Sequence, residues 1–202
     1  MPRQPLYDRQ HALDQAVQLF WEQGFHATSI KDVERALDMR PGSIYGAFGN
    51  KVRLFQAALD RYAEQGLAEL DAQLQAHASP LAGLAAYLRS LGGLRDRQMP
   101  CRACMLVKSL LELNERDDAT RRQADQLLAA MESRFVACFE AARTAGELSA
   151  AHDPRRLGRR LQAQVMGMRA YAQRDVDAAA LHQLAEDMAG SVETLRDPSA
   201  DS

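Results

Sequence analysis

Apolar residues recur at three- and four-residue steps along most of the chain, and nowhere do they alternate with polar ones over a strand's length. The first such stretch follows Asp8, a suitable N-cap; Ala12, Leu13, Ala16, Val17 and Phe20 share one face, and Gly24 ends the helix. Ser29 caps the next helix, with Asp32 three residues on as a short capping box and Ile30, Val33 and Leu37 as the apolar stripe. Asp38-Met39 forms a turn. Pro41 then opens a third helix, since proline at the first helical position has no N–H to leave unbonded. This helix, Pro41 to Phe48, buries Ile44 and Phe48 and leaves Arg40, Gly42, Ser43, Tyr45 and Gly46 on its other faces. Gly42 and Gly46 each lower helix stability by roughly 1 kcal/mol relative to Ala, so packing must hold the element together.

The later helices are longer. Asn50 caps one that runs from Lys51 to His77, and Ser79-Pro80 introduces another over Leu81 to Arg95. Cys101 to Asn114 reads as a strongly apolar helix, Ala119 to Thr144 as a long one, and Asp153-Pro154 opens a helix reaching Tyr171. Asp177 caps the last, which ends near Leu195; residues 1–7 read as an arm without periodicity, and a polar, frayed tail starts at Arg196. The expectation is an all-α fold of about nine helices, with no strand and no internal repeat. An N-terminal three-helix domain covers residues 1–50 and continues into a linking helix, 51–77; residues 51–202 form the second domain.

Composition narrows the class. Hydrophobic residues make up 47% and charged residues 26% of the 202, enough for a real core. No apolar run approaches the roughly 20 residues that span a bilayer, and nothing N-terminal resembles a secretory signal, so a cytoplasmic protein is expected. Three cysteines, an odd number, argue against a disulfide framework. The net charge of -2 does not announce a nucleic-acid partner. Its distribution does more: Met39 to Leu59 contains no Asp or Glu, while Arg40, Lys51 and Arg53 fall inside it.

A short helix, a tight turn and a second short helix with an exposed face make the helix-turn-helix pattern, whose second helix enters the DNA major groove. Arg40, Ser43 and Gly46 supply candidates for base edges, with Tyr45 able to reach a phosphate or a thymine methyl. Ser29, at a helix N-terminus that offers N–H groups, with Thr28 and the Lys51 ammonium beside it, supplies candidates for phosphates. Tyr45 can also be read as core.

The run GFHATSIKDVERALDMRPGSIYGAFGNKVRLF resembles the DNA-binding region of the TetR/AcrR family of transcriptional regulators. Gly24-Phe25, Thr28-Ser29, Gly42-Ser43-Ile44-Tyr45, Phe48, Lys51 and Leu54-Phe55 carry the likeness, which covers roughly residues 9 to 60. The resemblance implies phosphate contacts from Thr28, Ser29, Tyr45 and Lys51, and places Arg40, Pro41, Gly42, Ser43 and Gly46 at or near the groove. It further implies a dimer formed through the last two helices and a ligand cavity in the C-terminal domain. Three positions depart from the family pattern: Asp38 for a turn Gly, Arg40 for a capping Ser or Thr, and Glu34 for a small residue.

The second domain says less about chemistry. Cys101-Arg102-Ala103-Cys104 has C-x-x-C spacing but no second pair and no nearby His, so no metal is expected. At a helix start beside Arg102, Cys101 and Cys104 are candidate redox or electrophile sensors; the alternative is that Cys104 is a small buried hydrophobe. Tyr62, Tyr87, Met105, Phe135, Phe139 and Met166 are candidate pocket residues, with Arg169 as an anion partner, although such stripes also serve as core. Leu157, Leu161, Val165 and Met168, with Leu181, Leu184, Met188, Val192 and Leu195, give apolar faces for a two-fold four-helix interface. The expected protein is a homodimeric, ligand-responsive transcriptional regulator, a repressor of a palindromic operator released by a small molecule or by cysteine modification. Its partners are double-stranded operator DNA and an unidentified small-molecule effector, without membrane or cofactor. An activator, or a helical ligand-binding protein without DNA activity, are the alternatives. No Ser-His-Asp, Glu-x-x-His or paired-carboxylate arrangement supports an enzyme.

Overall fold

The computed structural model describes residues 9–97 and 99–196. The arm before residue 8, the Asp8 cap and the tail beyond Arg196 lie outside the described residues. Nine α-helices occur among them: α1 Arg9–Gln23, α2 Ile30–Leu37, α3 Pro41–Phe48, α4 Lys51–Gln75, α5 Pro80–Ser90, α6 Met105–Glu112, α7 Asp118–Thr144, α8 Pro154–Ala172 and α9 Ala178–Glu193. Two short 3-10 turns, Leu91–Arg95 and Glu115–Asp117, extend α5 and precede α7. No helix is long and apolar enough to cross a membrane among the described residues.

The chain divides into two compact units, residues 1–64 with 105–127 and residues 65–104 with 128–202. The unit that holds residues 9–50 therefore also takes in the first half of α4, all of α6 and the start of α7. Its core is built from the expected faces. Ala12, Ala16, Val17 and Phe20 of α1, Val33 of α2, Ile44 of α3 and Leu54, Phe55, Ala58 and Leu59 of α4 are all at least 97% buried. Phe55 anchors it aromatically, edge-on to Phe20 with ring centroids 4.9 Å apart and tilted against Phe25 at 5.0 Å. Leu106 of α6 and Ala124 of α7 are buried as well.

The second unit has a core of α5, α8, α9 and parts of α4 and α7, centred on Leu84, Leu88, Leu91, Phe135, Phe139, Leu161 and Leu181. Close approach of α8 to α7 depends on Gly158: a Cβ there would lie 2.9 Å from the backbone nitrogen of Val136 and 2.5 Å from its Cγ2. On its rim the Arg89 guanidinium of α5 donates to both Glu186 and Glu193 of α9, at 2.6 to 3.0 Å. Arg89 holds both carboxyls below the usual glutamate value.

Two expectations change here. Leu157, Leu161, Val165, Met168, Leu181, Met188 and Val192 are buried in this core, and Leu184 and Leu195 pack against it. Most of this stripe is thus already covered within one chain, while Leu184 and Leu195 keep part of their surface exposed. Arg196, expected in a frayed tail, instead bridges to Leu148 and donates to the Ser79 hydroxyl at 2.9 Å.

Candidate nucleic-acid interface

The reading element is α2, its turn and α3. Ser29 takes the extended backbone of an N-cap, and its hydroxyl accepts from the Asp32 amide at 3.2 Å. Asp32 returns the bond, accepting from the Ser29 amide at 2.9 Å and from its hydroxyl at 2.6 Å. These bonds, side chain first, lower the Asp32 pKa, so the box is ionised and formed at neutral pH. Asp38 ends α2 in the left-handed region, φ 49° and ψ 44°, where the sequence places a turn without glycine. Arg40 occupies the N-cap position of α3 without a side-chain capping bond, and Pro41 follows at the first helical position.

One side of α3 is buried, through Ile44 at 0% and Phe48 at 7% exposure. Arg40, Pro41, Gly42, Ser43, Tyr45 and Gly46 are all exposed, Tyr45 to 47%. The glycines are informative because nothing in the protein demands them. A Cβ built at Gly42 or Gly46 would meet no atom within 4 Å, so the open face of α3 is smoother than its own packing requires.

Thr28 and Lys51 stand differently from Ser29. Thr28 is 1% exposed, and its hydroxyl donates to the Gly24 carbonyl at 2.6 Å, closing the turn between α1 and α2 from within. The Lys51 ammonium donates to the carbonyls of Phe25 at 2.8 Å and Thr28 at 2.6 Å, and sits 4.3 Å from the Phe25 ring centroid. Burial lowers its pKa, against the opposing influence of Glu112 and Asp117. Both residues bond the turn, Thr28 from a buried position and Lys51 from a half-buried one.

Two further cations stand near α3, of which sequence reasoning passed over Arg9. Arg9 stacks over Phe48, the last residue of α3, 5.2 Å from its ring centroid. Arg53, exposed in the first turn of α4, runs its stem past Gly49. A contact 39 residues apart such as Arg9 with Phe48 leaves no local signal, whereas Arg53 lay within the acid-free window.

The effector candidates separate. Tyr87, Phe135 and Phe139 are buried in the core of the second unit, the first two with ring centroids 6.0 Å apart. Met166 and Arg169 are half-buried on α8 of the same unit. Tyr62 and Met105 belong to the other unit, where Tyr62 packs edge-on to Trp21 at 5.0 Å and Met105 is 1% exposed. Burial pushes the Tyr87 hydroxyl up to about 12, and Arg169, Glu69, Cys104 and Arg97 lie close enough for their charges to act on it. A cleft of about 530 Å³ lies at the start of α8, lined by His152, Arg156, Leu157, Arg159, Arg160 and Leu195 among others.

All three cysteines are buried. Cys101 and Cys104 precede α6, which begins at Met105, so the helix-start argument for Cys101 does not hold. In this segment Gln173 Oε1 accepts from the Arg102 amide at 3.0 Å, the Ala103 amide at 3.4 Å and the Cys101 thiol at 3.5 Å. Burial raises the Cys138 thiol to about 11. No group of three or more His, Cys, Asp or Glu that could hold a metal ion occurs among the described residues.

Comparison with known proteins covers both halves. Residues 12–58 match the family described as bacterial regulatory proteins, tetR family, and residues 80–188 match the tetracyclin repressor-like C-terminal domain. The HTH-type transcriptional repressor ComR of Escherichia coli (strain K12) is 29% identical over 185 residues, 91% of this chain and 88% of that protein. A solved structure of the TetR family regulator CifR, a cysteine mutant complexed with 26-bp double-strand operator DNA, superposes with a TM-score of 0.82 at 27% identity. It covers 95% of this chain and 98% of that one. A TetR family regulator from Cytophaga hutchinsonii, at 21% identity, shares the fold with a TM-score of 0.79 over 93% and 94% of the two chains. With its helix-turn-helix and its C-terminal half both matched, this chain belongs to the TetR family of bacterial transcriptional regulators.

Proposed function

We propose that this protein is a homodimeric repressor that binds a palindromic operator through α2 and α3 and is released by a small-molecule effector held in the unit of residues 65–104 and 128–202. One observation carries the DNA reading: α3 buries Ile44 and Phe48 and leaves Arg40, Gly42, Ser43, Tyr45 and Gly46 on an open face with no protein atom above the two glycines. Arg40 is the residue for a base edge or a phosphate, Ser43 and the Gly42 and Gly46 backbone lie against the groove, and Tyr45 and the Ser29 helix end take phosphates. Thr28 and Lys51 support these contacts by holding the turn that leads into Ser29. That CifR is complexed with double-strand operator DNA supports operator DNA as the partner here. A protein that reads chromosomal operators works in the cytoplasm.

Two copies present their recognition helices to successive major grooves about 34–36 Å apart. The surface for pairing is the exposed side of α8 and α9, where Ala163, Gly167 and Ala170 recur at helical spacing and Gly167 has open space above it. Small residues let a partner helix come close. The effector acts beside Tyr87, Met166 and Arg169, or by modifying Cys101 or Cys104; it shifts the protein only by its differential affinity for the two states. Gel retardation on DNA flanking the protein's own gene tests the reading. Retardation by the wild type, lost in Arg40→Ala with an unchanged melting temperature, is the expected result; no retardation of any fragment at low salt overturns it.

A further inference from the structure

The turn between α1 and α2 is held by a residue 87 positions further along the chain. Gly24 ends α1 with φ 86°, which turns the amides of Phe25 and His26 toward one point. Successive amides arranged in this way form a concavity that accepts an anion. The Glu112 carboxylate, at the end of α6, fills it, accepting from Phe25 at 3.1 Å and from His26 at 2.6 Å. A Cβ at Gly24 would stand 2.5 Å from Glu112 Oε2, so the concavity and its carboxylate require this glycine.

One helical turn earlier, Lys108 approaches the other polarity of the same junction. Its ammonium donates to the carbonyls of Trp21 at 2.6 Å and Glu22 at 3.2 Å, at the C-terminus of α1. Helix α6 thus gives an anion to the turn's amides and a cation to the carbonyls before it. Just after α6, Asp117 lies 3.1 Å from His26 Nε2. The Thr28 hydroxyl donates to the carbonyl of Gly24, and Lys51 to those of Phe25 and Thr28. The residue that follows is Ser29, the N-cap of α2.

We propose that Glu112 is a positioning residue for operator binding. By pinning the amides of Phe25 and His26 it fixes the α1–α2 turn, and so the placement of the α2 N-terminus that meets a phosphate in each half-site. This inference rests on the operator reading above. The capping box of α2 and the packing of Ile44 and Phe48 do not involve Glu112, so its removal leaves the helices intact and acts on their placement.

The test uses the full-length protein and a DNA fragment that the wild type retards. Operator affinity, its dependence on salt, and amide exchange at Phe25 and His26 are measured for the wild type, Glu112→Ala and Glu112→Gln, below the melting temperature of each. Glu112→Gln keeps the side-chain shape and one acceptor, and serves as the reporter if the alanine variant does not fold. The expected result is faster exchange at the two amides and an operator affinity lower on the order of tenfold for the alanine variant. The slope of log K against log salt should become shallower by about 2, for one lost phosphate contact in each half-site. Loss of global stability alone would leave that slope unchanged in the folded protein. Wild-type affinity and slope in both variants overturn the proposal while leaving the operator reading in place. Failure of the wild type to retard any fragment overturns both.

Discussion

Replacing Gly46 by alanine should move stability and DNA binding in opposite directions. The residue sits in the interior of an eight-residue helix, and a Cβ at that position meets nothing within 4 Å. The folded state therefore accepts the methyl without strain, and the helix gains the difference in propensity between Ala and Gly, about 1 kcal/mol. For a protein of 150–250 residues this corresponds to a melting temperature higher by about 2–4 °C. The bound state has a different requirement. Gly46 shares the open face with Gly42 and Ser43, and a duplex seated there as closely as a bare backbone permits must retreat from the new methyl or lose contacts beside it. A loss of about 1.4 kcal/mol is tenfold in affinity, and a dimer carries the change in both half-sites. Circular dichroism melts and fluorescence-anisotropy titration at fixed salt measure the two quantities on the same sample. A more stable variant with unchanged operator affinity would show that this face does not approach DNA. A less stable one would show that the space above Gly46 is already filled.

Two further perturbations test the second unit. Because Arg89 lowers the pKa of Glu186 and Glu193, both carboxylates bind protons more readily when unfolded, and their contribution is present above about pH 4.5 and is lost as pH falls through the lowered folded values. Arg89→Met should lower the melting temperature at neutral pH, and its difference from wild type should shrink below pH 4.5; a difference independent of pH would remove the ion pairs from the account. Gly158→Ala should lower the urea midpoint through a cost of about 1–3 kcal/mol, since the new Cβ meets the Val136 backbone at 2.9 Å; an unchanged midpoint would mean that α7 and α8 separate without penalty.

Much of the reading element was legible because its determinants are local. The bounds of α3, Pro41 to Phe48, follow from one proline and two apolar residues four apart; the Ser29–Asp32 box and the left-handed Asp38 follow from short-range hydrogen bonding and sterics. Each of these signals acts within about one helical turn, so the sequence carries it without knowledge of the rest of the fold. Thr28 and Lys51 were legible in position but not in direction. Where a hydroxyl or an ammonium points depends on which carbonyls lie nearby, and Gly24 and Phe25 supply them here.

What the tertiary structure alone decided are the pairings between distant stretches. An apolar stripe on α8 looks the same in sequence whatever it packs on; only the tertiary structure shows Leu157, Leu161, Val165 and Met168 buried in the core of their own chain. The bonds from the Arg102 and Ala103 amides to the Gln173 side chain, some 70 residues away, likewise left no local trace. Glu112 carries no local signal of its partners, the Phe25 and His26 amides, which only the fold brings to it. The sequence by itself determined the helices and the open face of α3, since periodicity and capping are properties of neighbours along the chain. The hold of Glu112 on the α1–α2 turn was decided by three-dimensional proximity, because its hydrogen bonds from the Phe25 and His26 amides require only that folding bring them together.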